Sequence, residues 1–263
     1  MSENPPESMR DRTFRGRSLR GSRFVGCDLS GVVVRGSDVA GMEVDSPWLL
    51  EGGNRLLVNG VDVAPLVDAE LNRRFPGREQ RDAADPEGLR SAWTALERTW
   101  AATLERADAM PAGTVDASVG DEWSLAQTLR HLVMATDTWL GKAVLQRERP
   151  YHPAGLPHDD DEESAAFDAS DFSAETPSWA EVLEARADRQ AMVLRFLAEV
   201  TTEELAAPRA NPHAPQHDET VLSCLRTIIE EEWEHHRYVV RDLDELATAL
   251  PPSGEGVRAD LAD

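Results

Sequence analysis

The sequence predicts a mainly α protein, a four-helix bundle with one long crossover connection, preceded by a short right-handed β-helical segment. Three observations carry this. Beyond residue 85, four stretches place apolar residues at i, i+3 and i+4, the period of an amphipathic helix. A Pro-, Asp- and Glu-rich gap over residues 150–177 separates the second stretch from the third, and a connection that long in a bundle is a lid, a crossover or disordered. Residues 10–48 repeat with a period of five, which belongs to neither helix nor strand.

In the first segment Phe14, Leu19, Phe24, Leu29, Val34, Val39 and Val44 stand five apart. Glycine follows two residues later at Gly16, Gly21, Gly26, Gly31, Gly36 and Gly41. The pattern resembles the pentapeptide repeats, which implies a quadrilateral β-helix with four five-residue sides per coil. Seven repeats make fewer than two coils, too little to bury a core alone, so the segment is expected to serve as a cap or docking ledge. Arg10, Arg12, Arg15, Arg17, Arg20 and Arg23 make it basic, unlike the long acidic repeat proteins that mimic DNA.

Residues 49–85 carry a hairpin signal, Asn59-Gly60 between apolar residues, then a short helix over Pro65–Arg74 and a charged linker. The bundle is expected over residues 86–250. Its first helix opens at Pro86 behind Asp85 and carries Leu89, Trp93, Leu96, Trp100 and Leu104 on one face. The second opens at Ser124 as N-cap and runs to about Leu145. The third spans about Ser178–Val200 and the fourth Val221–Leu246, with residues 251–263 as an unstructured tail.

The chain has 263 residues, 41% of them hydrophobic, and a formal charge of −22. That charge argues against nucleic acid or an anionic membrane as partner. No apolar run is long enough to span a bilayer, and Met1–Arg12 has no signal-peptide core. Cys27 and Cys224 form no CxxC pair and read as reduced thiols, so the expected location is cytoplasmic.

The chemistry is expected on the last helix. Glu232 and His236 fall near the centre of its apolar stripe, where an unpaired carboxylate or imidazole costs several kcal/mol. At i, i+4 they project the same way, as two ligands of one ion would; a buried hydrogen-bonded pair has the same spacing. A third ligand is sought on another helix. His131 sits there beside the apolar stripe of the second helix, with Ser124, Thr128, Ala135 and Thr138 as small neighbours. Glu231 and His235, nearer the stripe's edge, are the runner-up pair. His152, His158 and the acidic run after it are able to reach a site from the crossover, although a charge run is commonly only hydrated.

The stretch from Asp121 to Leu132, with His131 at its end, and the later Glu232-Trp233-Glu234-His235-His236-Arg237 resemble the DinB-like (YfiT-like) superfamily. The resemblance implies a four-helix bundle whose metal triad is His131, Glu232 and His236. The ion would be zinc first, with nickel, iron or manganese as alternatives. The His-Glu-His set is similar to the mycothiol-dependent maleylpyruvate isomerase branch. That implies mycothiol or another low-molecular-weight thiol as cofactor and a small electrophile as substrate. Homodimer formation is compatible with this. Members of that branch carry a further C-terminal domain against the thiol, so the implied reaction is kept general: thiol S-transfer or thiol-assisted isomerisation. The competing reading is a non-enzymatic interaction module, with the bundle structural and the repeat segment as its docking surface.

Overall fold

The computed structural model describes residues 9–157, 167–173 and 175–249. The residue 158–161 run and the 251–263 tail, on which expectations were placed, lie outside the described residues. The chain divides into two compact units, Met1–Asp45 and Ser46–Asp263.

The described part of the first unit keeps the five-residue period but does not close a β-helix. All six glycines of the repeat take left-handed backbone angles, φ between 58° and 77°, which only glycine adopts without strain. Turn hydrogen bonds recur every ten residues, from Arg12 N–H to Met9, Ser22 to Leu19, Val32 to Leu29 and Met42 to Val39. No strand forms in these residues, and the apolar side chains meant for an interior stay open, Phe14 at 58% and Phe24 at 60% exposure. The expected quadrilateral β-helix is therefore corrected to a series of glycine turns. The reason is the repeat count: with fewer than two coils, an apolar side has no next coil to stack on.

The second unit opens with a hairpin, β1 (Leu57–Val58) and β2 (Val61–Asp62), paired antiparallel. Asn59 and Gly60 turn it at φ 50° and 83°, the type I′ signature expected of that dipeptide. Helix α1 (Ala64–Arg74) follows. The stretch read as a linker is instead docked. Arg78 is buried, bonds Asp68 and Asn72, and lies 3.8 Å from Glu234. Arg226 donates to the carbonyls of Asp82 and Ala83.

Four long helices form the bundle. Helix α2 (Pro86–Asp108) starts where Asp85 accepts from the amides of Glu87 and Gly88. Helix α3 (Leu125–Thr136) begins with a reciprocal capping box between Ser124 and Gln127. It continues without a break as π-helical turns over Asp137–Val144, where the sequence suggested uniform α-helix. Helix α4 (Trp179–Glu199) has a second capping box, Ser178 with Glu181. A single turn α5 (Thr202–Leu205) and the hairpin β3 (Pro208–Ala210) with β4 (Asp218–Thr220) lead to α6 (Val221–Ala249). Neighbouring pairs α2–α6, α6–α3, α3–α4 and α4–α2 close the ring. Leu89, Trp93, Leu96, Leu129, Leu132, Leu197, Leu225 and Ile228 fill its middle, each almost fully buried. No described helix is long and apolar enough to cross a membrane.

The long connection between α3 and α4 is tied to the bundle by charge. Asp137, fully buried, accepts from Arg189 Nε at 2.5 Å, Arg189 Nη2 at 3.2 Å and the His152 amide at 2.8 Å. Burial pushes its carboxyl up to about 6, against the pull of Arg189. Arg130 Nε donates to the Ala154 carbonyl, and the Leu156 amide donates back to the Arg130 carbonyl. Asp137→Asn is expected to destabilise the protein by about 3 kcal/mol, because Arg189 then loses its buried counter-charge. Urea unfolding monitored by far-UV circular dichroism checks this; an unchanged midpoint refutes it.

Candidate metal centre

The last helix carries the run Glu230-Glu231-Glu232-Trp233-Glu234-His235-His236, and therefore two Glu–His pairs at i, i+4 offset by one residue. At about 100° per residue the two pairs must face different neighbours. The structure brings His131 together with Glu231 and His235, whose ligand atoms all lie within 4.8 Å of one another. The expected pair, Glu232 and His236, is committed elsewhere. Glu232 Oε2 accepts from Arg186 Nη2 of α4 at 2.5 Å, and His236 Nε2 pairs with the Thr103 hydroxyl of α2 at 2.7 Å. The expected triad of His131, Glu232 and His236 is thus shifted by one residue in the assembled cluster. His131 keeps its place.

The physical reason lies in where the stripes meet. His131 sits at the flank of its stripe, so it meets the flank of α6, not its centre. The centre points across the core, where only a buried cation from the opposite helix relieves a carboxylate. Arg186 is that cation, 3% exposed against 1% for Glu232. An arginine at a buried position of α4 was the signal available in the sequence and not used. His152 does not join the cluster; its Nδ1 accepts from the Ala154 amide.

Each imidazole of the cluster meets a carbonyl through Nδ1. His131 Nδ1 faces the Leu156 carbonyl at 3.3 Å, and His235 Nδ1 faces the Glu231 carbonyl at 2.9 Å, with Glu231 Oε2 also 3.3 Å away. A carbonyl only accepts, so in the neutral rings Nδ1 carries the proton and Nε2 keeps its lone pair. This is the arrangement that orients metal-binding histidines in general. His131 Nε2 stands 3.5 Å from Glu231 Oε2. Two ligands about 2.1 Å from a tetrahedral ion are separated by roughly 3.4 Å, so this edge already has the required span. The rings of His131 and His235 stack at 4.7 Å, and Trp123 covers His131 at 4.8 Å. His131 is 1% exposed, whereas the Glu231 side chain is 31% exposed, so the cluster opens to solvent on the Glu231 side.

Burial holds the His235 imidazole below its ordinary range, with the neighbouring His131 adding to the effect. Burial alone pushes His236 down to about 4. Both rings are therefore neutral at pH 7, the state in which an imidazole binds metal. Burial drives the Cys224 thiol up to about 11, which leaves it an inert core group.

The shift on His236 has a consequence for stability. Its folded value lies below the unfolded 6.5, so between those values the unfolded chain binds the extra proton. Stability is complete above pH 6.5 and declines as the pH falls towards 4, by about 3 kcal/mol from this group. Denaturant titrations at pH 7 and pH 4.5, with chelator present, are expected to show the decline. His236→Leu is expected to flatten it, and an equal slope in the variant refutes the assignment.

A family model described as the DinB superfamily matches residues 95–239, from within α2 to α6, and so includes all three clustered residues. A search of curated proteins returned no match. The helical bundle, the histidine of α3 and the Glu–His pair of the final helix agree with that match, and the chain belongs to the DinB superfamily.

Proposed function

We propose that this protein is a metal-dependent enzyme of thiol chemistry, an S-transferase or isomerase acting on a small electrophile, with the ion held by His131, Glu231 and His235. The observation that carries the metal is the donor set itself. Two imidazoles that meet carbonyls through Nδ1 and one partly exposed carboxylate bring their ligand atoms within 4.8 Å of one another. Two nitrogens and one oxygen suit zinc first, with nickel, iron and manganese as alternatives. When bound, such an ion lowers the pKa of a thiol or water at its open position and so supplies a nucleophile at neutral pH.

The chain's own residues supply orientation and shielding. The Leu156 and Glu231 carbonyls fix both tautomers, while the Trp123 ring covers the His131 side of the cluster. Tyr238 packs edge-on to His235 and is stacked by the Arg237 and Arg241 guanidiniums, which borders the site with a polar, partly aromatic wall. Mycothiol or another small thiol remains the proposed cofactor on the strength of the branch resemblance. The proposed setting is cytoplasmic, in keeping with two cysteines that are both free thiols. The exposed apolar row from Phe14 to Val44 supports the alternative reading, a docking module without catalysis.

Tag-free protein is expected to carry about one equivalent of divalent metal by elemental analysis. His131→Ala, Glu231→Gln and His235→Ala are each expected to lose it, and Glu230→Gln, one residue away and outside the cluster, to keep it. Metal-bearing protein is then expected to consume thiol in the presence of at least one class of electrophile, epoxides, maleates and alkyl halides being tested in turn. Metal-free wild-type protein overturns the centre. A silent panel with metal present leaves the docking module as the reading.

A further inference from the structure

The apolar stripe of α6 thins out where the cluster sits. Between Ile229 and Val239, Trp233 is the one core hydrophobic residue among the described residues. Ile228, Ile229, Val239 and Leu243 hold the helix from either side of these turns, while within them Trp233 is the one apolar anchor. The same turns contain two chemically equivalent Glu–His pairs, either of which has the spacing to serve a metal. Polar pairing is therefore placed to add to hydrophobic packing in choosing between them.

We propose that Arg186 and Thr103 are positioning residues for the metal centre: by holding Glu232 and His236, they lock the rotation of α6 that aims Glu231 and His235 at His131. This rests on the metal reading above. The geometry is direct. Glu232 and His236 follow Glu231 and His235 by one residue, so pinning the first pair fixes the direction of the second about 100° away. The pins come from two different helices, α4 through Arg186 and α2 through Thr103, neither of them the helix that carries His131. The rings of Trp100, Phe75 and Trp233 meet His236 edge-on at 5.0, 5.7 and 6.1 Å and close the space around it. The ion pair is monodentate: Glu232 Oε1 and Arg186 Nη1 have no hydrogen-bond partner among the described residues. The pair is therefore joined through one hydrogen bond, with the Trp100 ring 5.8 Å from the Arg186 guanidinium, and rotating the helix would break that bond.

The test separates the lock from the fold. Removing one charge alone would unfold the bundle, so the pair is replaced together, as Arg186→Met with Glu232→Leu, a swap of similar volume that a core tolerates. The double variant is expected to unfold cooperatively, yet to bind Zn²⁺ about 10- to 100-fold more weakly than wild type in competition with a chromogenic chelator. Its Co²⁺ absorption band is expected to shift and broaden. In the metal-free state, the nuclear Overhauser contact between the rings of His131 and His235 is expected to weaken, because their 4.7 Å stacking crosses from α3 to α6 and so depends on that rotation. Wild-type affinity together with an unchanged ring–ring contact overturns the lock. Should the double variant not fold, Thr103→Val carries the same measurements, with an expected loss of about threefold in affinity. Should wild-type protein itself bind no Zn²⁺, the metal reading fails and the His131–His235 ring contact alone decides the lock.

Discussion

The ion pair between Glu232 and Arg186 is the interaction on which the rest of the bundle's functional geometry depends. It crosses the interior from α6 to α4, two helices that do not otherwise neighbour one another closely in the ring. A buried ion pair contributes little net stability compared with an apolar pair of the same size, because both charges lose their hydration. Its value is directional. Leucines in those two places would hold the helices together without specifying an angle of their own, whereas one carboxylate oxygen on one guanidinium nitrogen adds a directional constraint to the apolar packing of α6.

The other half of the centre is supported from outside the bundle's own ladder of packing. His131 takes its orientation from the carbonyl of Leu156, which belongs to the connection between α3 and α4. That connection is itself fastened by Arg130 to the Ala154 carbonyl and by Asp137 to the His152 amide. Asp137 is in turn shared with Arg189 of α4. A chain of polar contacts thus runs from α4 through the connection to His131. Arg186, one turn before Arg189 on the same helix, runs the corresponding chain to α6. Helix α4 contributes no residue to the cluster, but it braces both sides of it.

Much of the fold was legible because it follows from local rules. Asp85, Ser124 and Ser178 announce helix starts through their side-chain oxygens, and Asn59-Gly60 announces a hairpin through its tolerance of positive φ. The repeat segment shows the limit of such rules. Its period was real and survives as regular glycine turns, but a β-helix is a property of stacked coils and not of one period. The docked stretch around Arg78 was hidden for a related reason: its composition is that of a linker, and its burial comes from partners on α1 and α6 that no local pattern reveals.

At the site, periodicity found the helix, the residue types and the histidine of α3, but it ranked the two Glu–His pairs by depth alone. Depth was read correctly, since Glu232 and His236 are the more buried pair, at 1% and 3% exposure. Depth does not by itself assign ligation. A metal that exchanges a water or thiol needs a coordination position with a path to solvent. A carboxylate sealed at the centre of a core has none, and answers its charge with an arginine instead. Glu231, partly exposed and one step round the helix, meets both demands: close enough to His131 to share an ion, and open enough to let a ligand arrive. On a helix that carries two equivalent pairs, the shallower one here joins the cluster that could hold an ion, and the deeper one is paired within the core.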